Sequence, residues 1–161
     1  MTSAQEIIAH FGLLPLEPEG GYFLQSYRSP EPFPNSERPL ATAILYLLQA
    51  EPPSFSAMHR LSADEVFHFY LGDPVELLEL HPDGSGGVVT LGPDILAGQQ
   101  VQHLVGRGVW QGARVRRGGN WALLGTTMAP GFVDEGFYLG ERADLQARYP
   151  RYRDLIAELT R

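Results

Sequence analysis

Short apolar-rich runs separated by clusters of turn formers fill most of the chain, and helical spacing of apolar residues lies near its two ends. Ile7, Ile8 and Phe11 recur at helical spacing behind Ser3-x-x-Glu6, which has the form of a capping box, and Gly12 is placed to stop the helix. Tyr152, Leu155, Ile156 and Leu159 repeat at the same spacing after Pro150, a residue suited to a first helical turn. A shorter helical turn is expected around Asp144 to Arg148. Between these ends the pattern predicts nine strands, at 21–28, 40–48, 55–60, 65–71, 75–81, 87–91, 101–105, 109–116 and 121–128. Turn formers separate them, among them Gly72-Asp73-Pro74, Pro82-Asp83-Gly84-Ser85-Gly86, Gly92-Pro93-Asp94 and Gly118-Gly119-Asn120. Short strands with a turn every 8–12 residues or so mark an antiparallel sandwich or barrel. No helices stand between the strands to cover a parallel sheet, so doubly wound folds are excluded. The Pro-rich stretch 29–39 reads as a long loop inside one domain that covers residues 1–161.

Composition agrees and then narrows the chemistry. With 18 glycines and 13 prolines the 161-residue chain is rich in turns, and 43% hydrophobic residues supply a core. Without cysteine there is no thiolate nucleophile, disulfide or zinc-thiolate site. All 12 basic residues are arginine, so no side-chain Schiff base can form. A net charge of −7 argues against nucleic acid as partner, and no apolar run approaches the ~20 residues of a membrane span. The first residues carry neither the basic start nor the apolar stretch of a secretion signal, so the expectation is a cytoplasmic protein. Arg114, Arg116 and Arg117 read as a solvated strand end. Gly106-x-Gly108 leads into a strand, which leaves no helix N-terminus to hold a pyrophosphate. Ser85 sits at a hairpin tip without a nucleophile-elbow setting.

The segment dense in chemistry runs from Phe55 to Gly72. His59 closes one predicted strand, a short polar loop follows, and Glu65 opens the next. Paired as adjacent antiparallel strands, the two would bring imidazole and carboxylate together on one face. Histidine exchanges its proton near neutral pH, and a carboxylate can orient it. Alternation sets Phe67 and Phe69 on the face of Glu65, as an aromatic pocket wall, and turns His68 the other way with Val66 and Tyr70. His103, near the second motif described next, has no placement from pattern alone.

Glu65 followed by six residues and Gly72, with His59 on the preceding strand, resembles the first motif of the cupin superfamily. The second motif is similar to Gly98 through Gln111, with Gly106-x-Gly108 inside it. Pro18-Glu19-Gly20-Gly21-Tyr22-Phe23, Ser26-Tyr27-Arg28-Ser29, His68-Phe69-Tyr70, Gly72-Asp73-Pro74, Trp110-Gln111 and Ala129-Pro130-Gly131-Phe132 narrow the match to a small cupin family related in fold to the deoxysugar epimerases. The resemblance implies an all-β jelly-roll sandwich with short terminal helices, a homodimer, and an interior pocket for a small polar or sugar-like ligand. Metal-binding cupins carry two histidines in the first motif and one in the second. This chain has His59 alone and Gln111 in place of the second-motif histidine. A divalent metal, if held, would have His59, Glu65 and Gln111 as ligands, and the pattern requires no cofactor.

Three readings stand. In the first, His59 takes a proton beside a carbonyl, Glu65 tunes it, and Tyr22 or Tyr46 returns a proton, in a metal-independent sugar or sugar-nucleotide epimerase or isomerase. In the second the same pocket, with Gln111, Phe67 and Phe69 around the ligand, binds without turnover. The third is a metal-dependent oxygenase or isomerase. Trp110, with Tyr70 and His68, is expected to form an aromatic patch outside the pocket.

Overall fold

A computed structural model describes residues 2–161. The elements are α1 (Ala4–Phe11), β1 (Leu14–Pro15), β2 (Tyr22–Arg28), β3 (Thr42–Gln49), β4 (Ser56–Leu61), β5 (Glu65–Gly72) and β6 (Val75–Leu80). They continue with β7 (Gly86–Leu91), β8 (Gln102–Val105), β9 (Trp110–Val115), β10 (Trp121–Met128), β11 (Phe137–Leu139), α2 (Arg142–Arg148) and α3 (Arg153–Glu158). All nine predicted strands form, with bounds within two residues of the expected ones. The two-residue β1 and three-residue β11 are additional, because neither is long enough to show an alternation. A 3-10 turn over Ile95–Ala97, capped by Asp94, also lies outside the pattern.

The strands form two antiparallel sheets, one of six strands in the order β1-β2-β3-β10-β5-β8 and one of five in the order β11-β4-β9-β6-β7. This is the expected jelly-roll sandwich. Its main core lies between the sheets, where Leu48, Phe67, Leu77, Leu91 and Leu124 are excluded from water, an effect worth roughly 1.5–3 kcal/mol for each large side chain. α1 covers one end of the outer face of the six-stranded sheet through Ala4 and Ile7, packed with Leu47 and Leu123. Its capping box forms as expected: the Ser3 hydroxyl accepts from the Glu6 N–H, while the Glu6 carboxylate accepts from the Ser3 N–H at 2.7 Å. Phe11 stays partly exposed, so Ala4 and Ile7 carry the buried face instead. α2 and α3 cover the five-stranded sheet, where Leu145, Ile156 and Leu159 meet Met58, Leu80 and Trp110.

Two expectations are corrected. β4 and β5 are not neighbours: β4 lies between β11 and β9, and β5 between β10 and β8, in opposite sheets. Both hydrogen-bonding edges of each strand are occupied, so the Ser62–Asp64 link is a corner between sheets and not a hairpin. The Ser62 N–H donates to the Gly136 carbonyl, and Asp64 accepts from the Arg107 N–H at 2.8 Å, which fixes that corner. Trp110 does not join His68 and Tyr70. It belongs to the five-stranded sheet and is buried beneath the terminal helices, while His68 and Tyr70 lie on the outer face of the other sheet with their rings stacked 6.3 Å apart.

Candidate functional site

His59 and Glu65 do come together, but across the sandwich interior. In β4, His59 faces inward beside Gln111 of β9, its register partner. Both are almost completely buried. The His59 Nδ1 lies 2.7 Å from the Ala57 carbonyl oxygen. A carbonyl only accepts, so Nδ1 carries a proton and donates it there, and Nε2 faces the other way, toward Glu19. Phe137 of the edge strand stacks on the imidazole with centroids 5.1 Å apart and holds its plane. From the opposite sheet, Glu65 reaches over so that Gln111 Nε2 donates to its Oε2 at 2.8 Å. Burial lifts the Glu65 carboxyl above the ordinary carboxylate value, and the nearby Glu19 charge adds to this; His59, Thr126 and Gln111 pull the other way.

Glu19 is the member of the site that alternation could not find. It precedes β2 in a turn, where Gly20 and Gly21 take φ of 107° and 78° and swing its side chain inward. Its Oε1 accepts from the Ser56 hydroxyl at 2.8 Å, and its Oε2 stands 4.0 Å from His59 Nε2, too far for a direct hydrogen bond. Its only sequence signal is a carboxylate set between proline and a glycine pair. A side chain in that place has no strand face to betray its direction.

A small cavity of about 80 Å³ opens beside these groups. Glu19, Glu65, Tyr46, Phe67, Phe23 and Thr126 are among its lining residues. Phe67 is thus a wall residue as expected, whereas Phe69 lies deeper in the core and does not line the cavity. Tyr46 lines it with its hydroxyl donating to the Gly20 carbonyl at 2.8 Å, and burial followed by the Glu19 charge holds that phenol well above its ordinary value. Tyr22 is not in the site. It packs in the cluster beneath α1, because β2 alternates the other way and turns Phe23 and Gln25 inward.

Glu19 and Glu65 are the charged groups of the lining, beside the hydroxyls of Thr42 and Thr126 and the Gln25 amide, while His59 and Gln111 stand directly behind the two glutamates. Gln111 Oε1 is buried without any donor. No arginine lines the cavity. His59 is the one fully buried histidine, and among the described residues no three His, Asp or Glu side chains gather as a metal-holding group. Gln111 also turns its amide nitrogen, which is not a ligand, toward Glu65. The donor set as arranged does not fit a resident metal, and what it holds is a buried imidazole beside a carboxyl that burial biases toward its protonated form.

The remaining histidines lie elsewhere. His68 accepts from Gln102 Nε2 and donates to Thr127 Oγ1 at 3.1 Å on the outer sheet face. His103 bridges the sheets by pairing with Glu79 at 3.0 Å. Arg114 and Arg117 both pair with Glu158 of α3, in keeping with a solvated strand end.

A family model described as Cupin superfamily (DUF985) matches residues 5–140. A structural-genomics protein from Shewanella oneidensis is similar at 33% identity with a TM-score of 0.91, over 100% of this chain and 99% of that one. A hypothetical protein from Leishmania major is similar at 28% identity with a TM-score of 0.89, over 99% of both chains. A cupin 2 conserved barrel domain protein from Rhodopseudomonas palustris shares the fold at 13% identity and a TM-score of 0.58, over 92% of this chain and 89% of that one. No curated protein matches.

Proposed function

Since the chain belongs to the DUF985 family of the cupin superfamily, we propose that its interior site is that of a metal-independent isomerase or epimerase acting on a small, uncharged, sugar-like ligand, with His59 as the base. The observation that carries this reading is the orientation of the His59 ring. Its Nδ1 is committed to the Ala57 carbonyl, so Nε2 is the ring nitrogen presented to the buried interior. Isomerisation beside a carbonyl needs a proton removed from carbon and a proton returned. His59 Nε2 takes the first. Glu65, held toward its acid form by burial, is placed on the facing sheet to supply the second. Tyr46 keeps its proton and orients the Gly20 turn.

The two carboxyls of the lining set the ligand class. Hydroxyl groups of a polyol would satisfy Glu19 and Glu65, whereas a phosphate or carboxylate would meet two glutamates and no cation. The sugar part of a larger molecule fits this chemistry, and a nucleotide part does not.

The test is deuterium exchange. Free aldoses and ketoses are incubated with the protein in deuterium oxide, and proton NMR follows the signal of the carbon beside the carbonyl. Exchange is expected, falling by about 10²–10⁴-fold in His59→Gln. An active protein whose rate is untouched by that change would remove His59 as base. Binding of the same sugars without exchange would leave a binding module, and stoichiometric metal by elemental analysis would overturn the metal-independent reading.

A further inference from the structure

We propose that the open groove on the outer face of the five-stranded sheet, beside the β4–β5 corner, binds a phosphate-bearing small molecule between Arg60 and Arg107. The groove measures about 340 Å³ and is lined by Arg60, Leu61, Ser62, Arg107, Gly108 and Tyr138. It lies on the other side of β4 from the interior pocket, with Leu61 common to both linings, because side chains alternate along β4 and Arg60 points away from the face that carries His59.

Strand register builds the site. Tyr138 of β11, Arg60 of β4 and Trp110 of β9 are successive cross-strand neighbours. The Arg60 guanidinium carbon lies 4.8 Å from the Tyr138 ring centroid and 5.2 Å from that of Trp110. Stacking uses the flat faces of a guanidinium and leaves its N–H edge free to grip an oxyanion with two parallel hydrogen bonds. Arg107 approaches from the β8–β9 turn. That turn is fastened by its own N–H to Asp64 Oδ1 and by the Gly108 N–H to the Leu61 carbonyl at 2.9 Å.

Charge singles this groove out in a chain of net −7. Among the described residues, neither guanidinium donates a hydrogen bond to the protein, and no carboxylate comes within 4.0 Å of either. Arg114, Arg117 and Arg148 have carboxylate partners. The groove holding Arg28 also contains Glu31 and Glu37, and the one holding Arg116 contains Glu158. The Arg60–Arg107 groove has no acidic side chain in its lining. Ser62 Oγ accepts from Arg38 Nη1 at 3.1 Å, which leaves the Ser62 O–H to donate into the groove. Two cationic forks and a hydroxyl, with no opposing carboxylate, suit a dianion that only accepts. A phosphate ester or diphosphate has that character, and a lone carboxylate would use one arginine and leave the other unpaired.

Calorimetric titration of the full chain with inorganic pyrophosphate tests this, with phenyl phosphate and acetate as further probes. Saturable binding of both phosphates is expected, weakened by salt and at least tenfold stronger than acetate. Arg107→Gln and Arg60→Gln should each weaken it about tenfold or more, while Arg153→Gln, the same charge change on α3, should leave it intact. Arg107 stands on an exposed turn, so its removal does not threaten the fold even if Arg60→Gln disturbs the Trp110 stack. The proposal is overturned by affinity unchanged in Arg107→Gln, by equal loss in Arg153→Gln, by acetate binding as strongly, or by no binding at millimolar pyrophosphate.

Discussion

Burial turns single side chains of this protein into chemical specialists. Glu65 is lifted above its ordinary value of 4.5, so the folded state holds that proton more tightly than the unfolded chain does. Its favourable contribution is complete below 4.5 and is lost as pH rises through the folded value. Glu65→Gln keeps an oxygen for Gln111 and removes the ionisation. Thermal melts should therefore show the variant melting above wild type at pH 7, with the gap closing as pH falls below about 4.5. A gap that widens on acidification would mean that Glu65 is stabilising as a carboxylate. Gly21 is a second specialist. With φ at 78°, an added Cβ would meet the Tyr46 ring at 2.6 Å. Gly21→Ala should cost about 1–3 kcal/mol in chemical denaturation and displace Tyr46, read as a changed near-ultraviolet dichroism signal. An unperturbed Tyr46 signal at full stability would show that the Glu19 turn can relax.

Elements differ in how openly they announce themselves. β5 alternates buried and half-buried positions, so the inward direction of Phe67 was legible, while β3 and β10 are apolar runs covered on both faces whose existence was legible from their composition and flanking turns. β11 was not, although it supplies Phe137 to the His59 ring and Tyr138 to Arg60. Three residues hold too little pattern to register. Tyr22 of β2 faces α1 and not the interior, a choice of side that alternation alone does not make. The cap and the stop of α1 were legible because their signals are local, whereas its buried face was not. Ser3→Ala should remove the cap and cost roughly 0.5–2 kcal/mol, seen as a lower melting temperature with the β-sheet signal intact. No change would mean that Ala4 and Ile7 hold the helix by packing alone.

At the scale of the whole molecule, two sheets face each other and the candidate site lies where they meet. His59 and Gln111 come from one sheet, Glu65 and Tyr46 from the other, and Glu19 from a turn at the rim. Among the described residues, no helix is long and apolar enough to cross a membrane. The chain's own pattern determined the sandwich class, the nine main strands, the terminal helices, and the pairing of His59 with Glu65 as the residues to watch. These follow from interactions within a few residues, and from apolar periodicity that any fold of this chain must bury. Tertiary structure alone decided that His59 and Glu65 meet between sheets, that Glu19 completes the site, that Tyr22 leaves it, and that Arg60 and Arg107 share a groove free of carboxylates. Each of these depends on which strand edges pair and how corners turn. That choice is made by the competition of whole strands for partners, a long-range contest that leaves no mark at the positions it brings together.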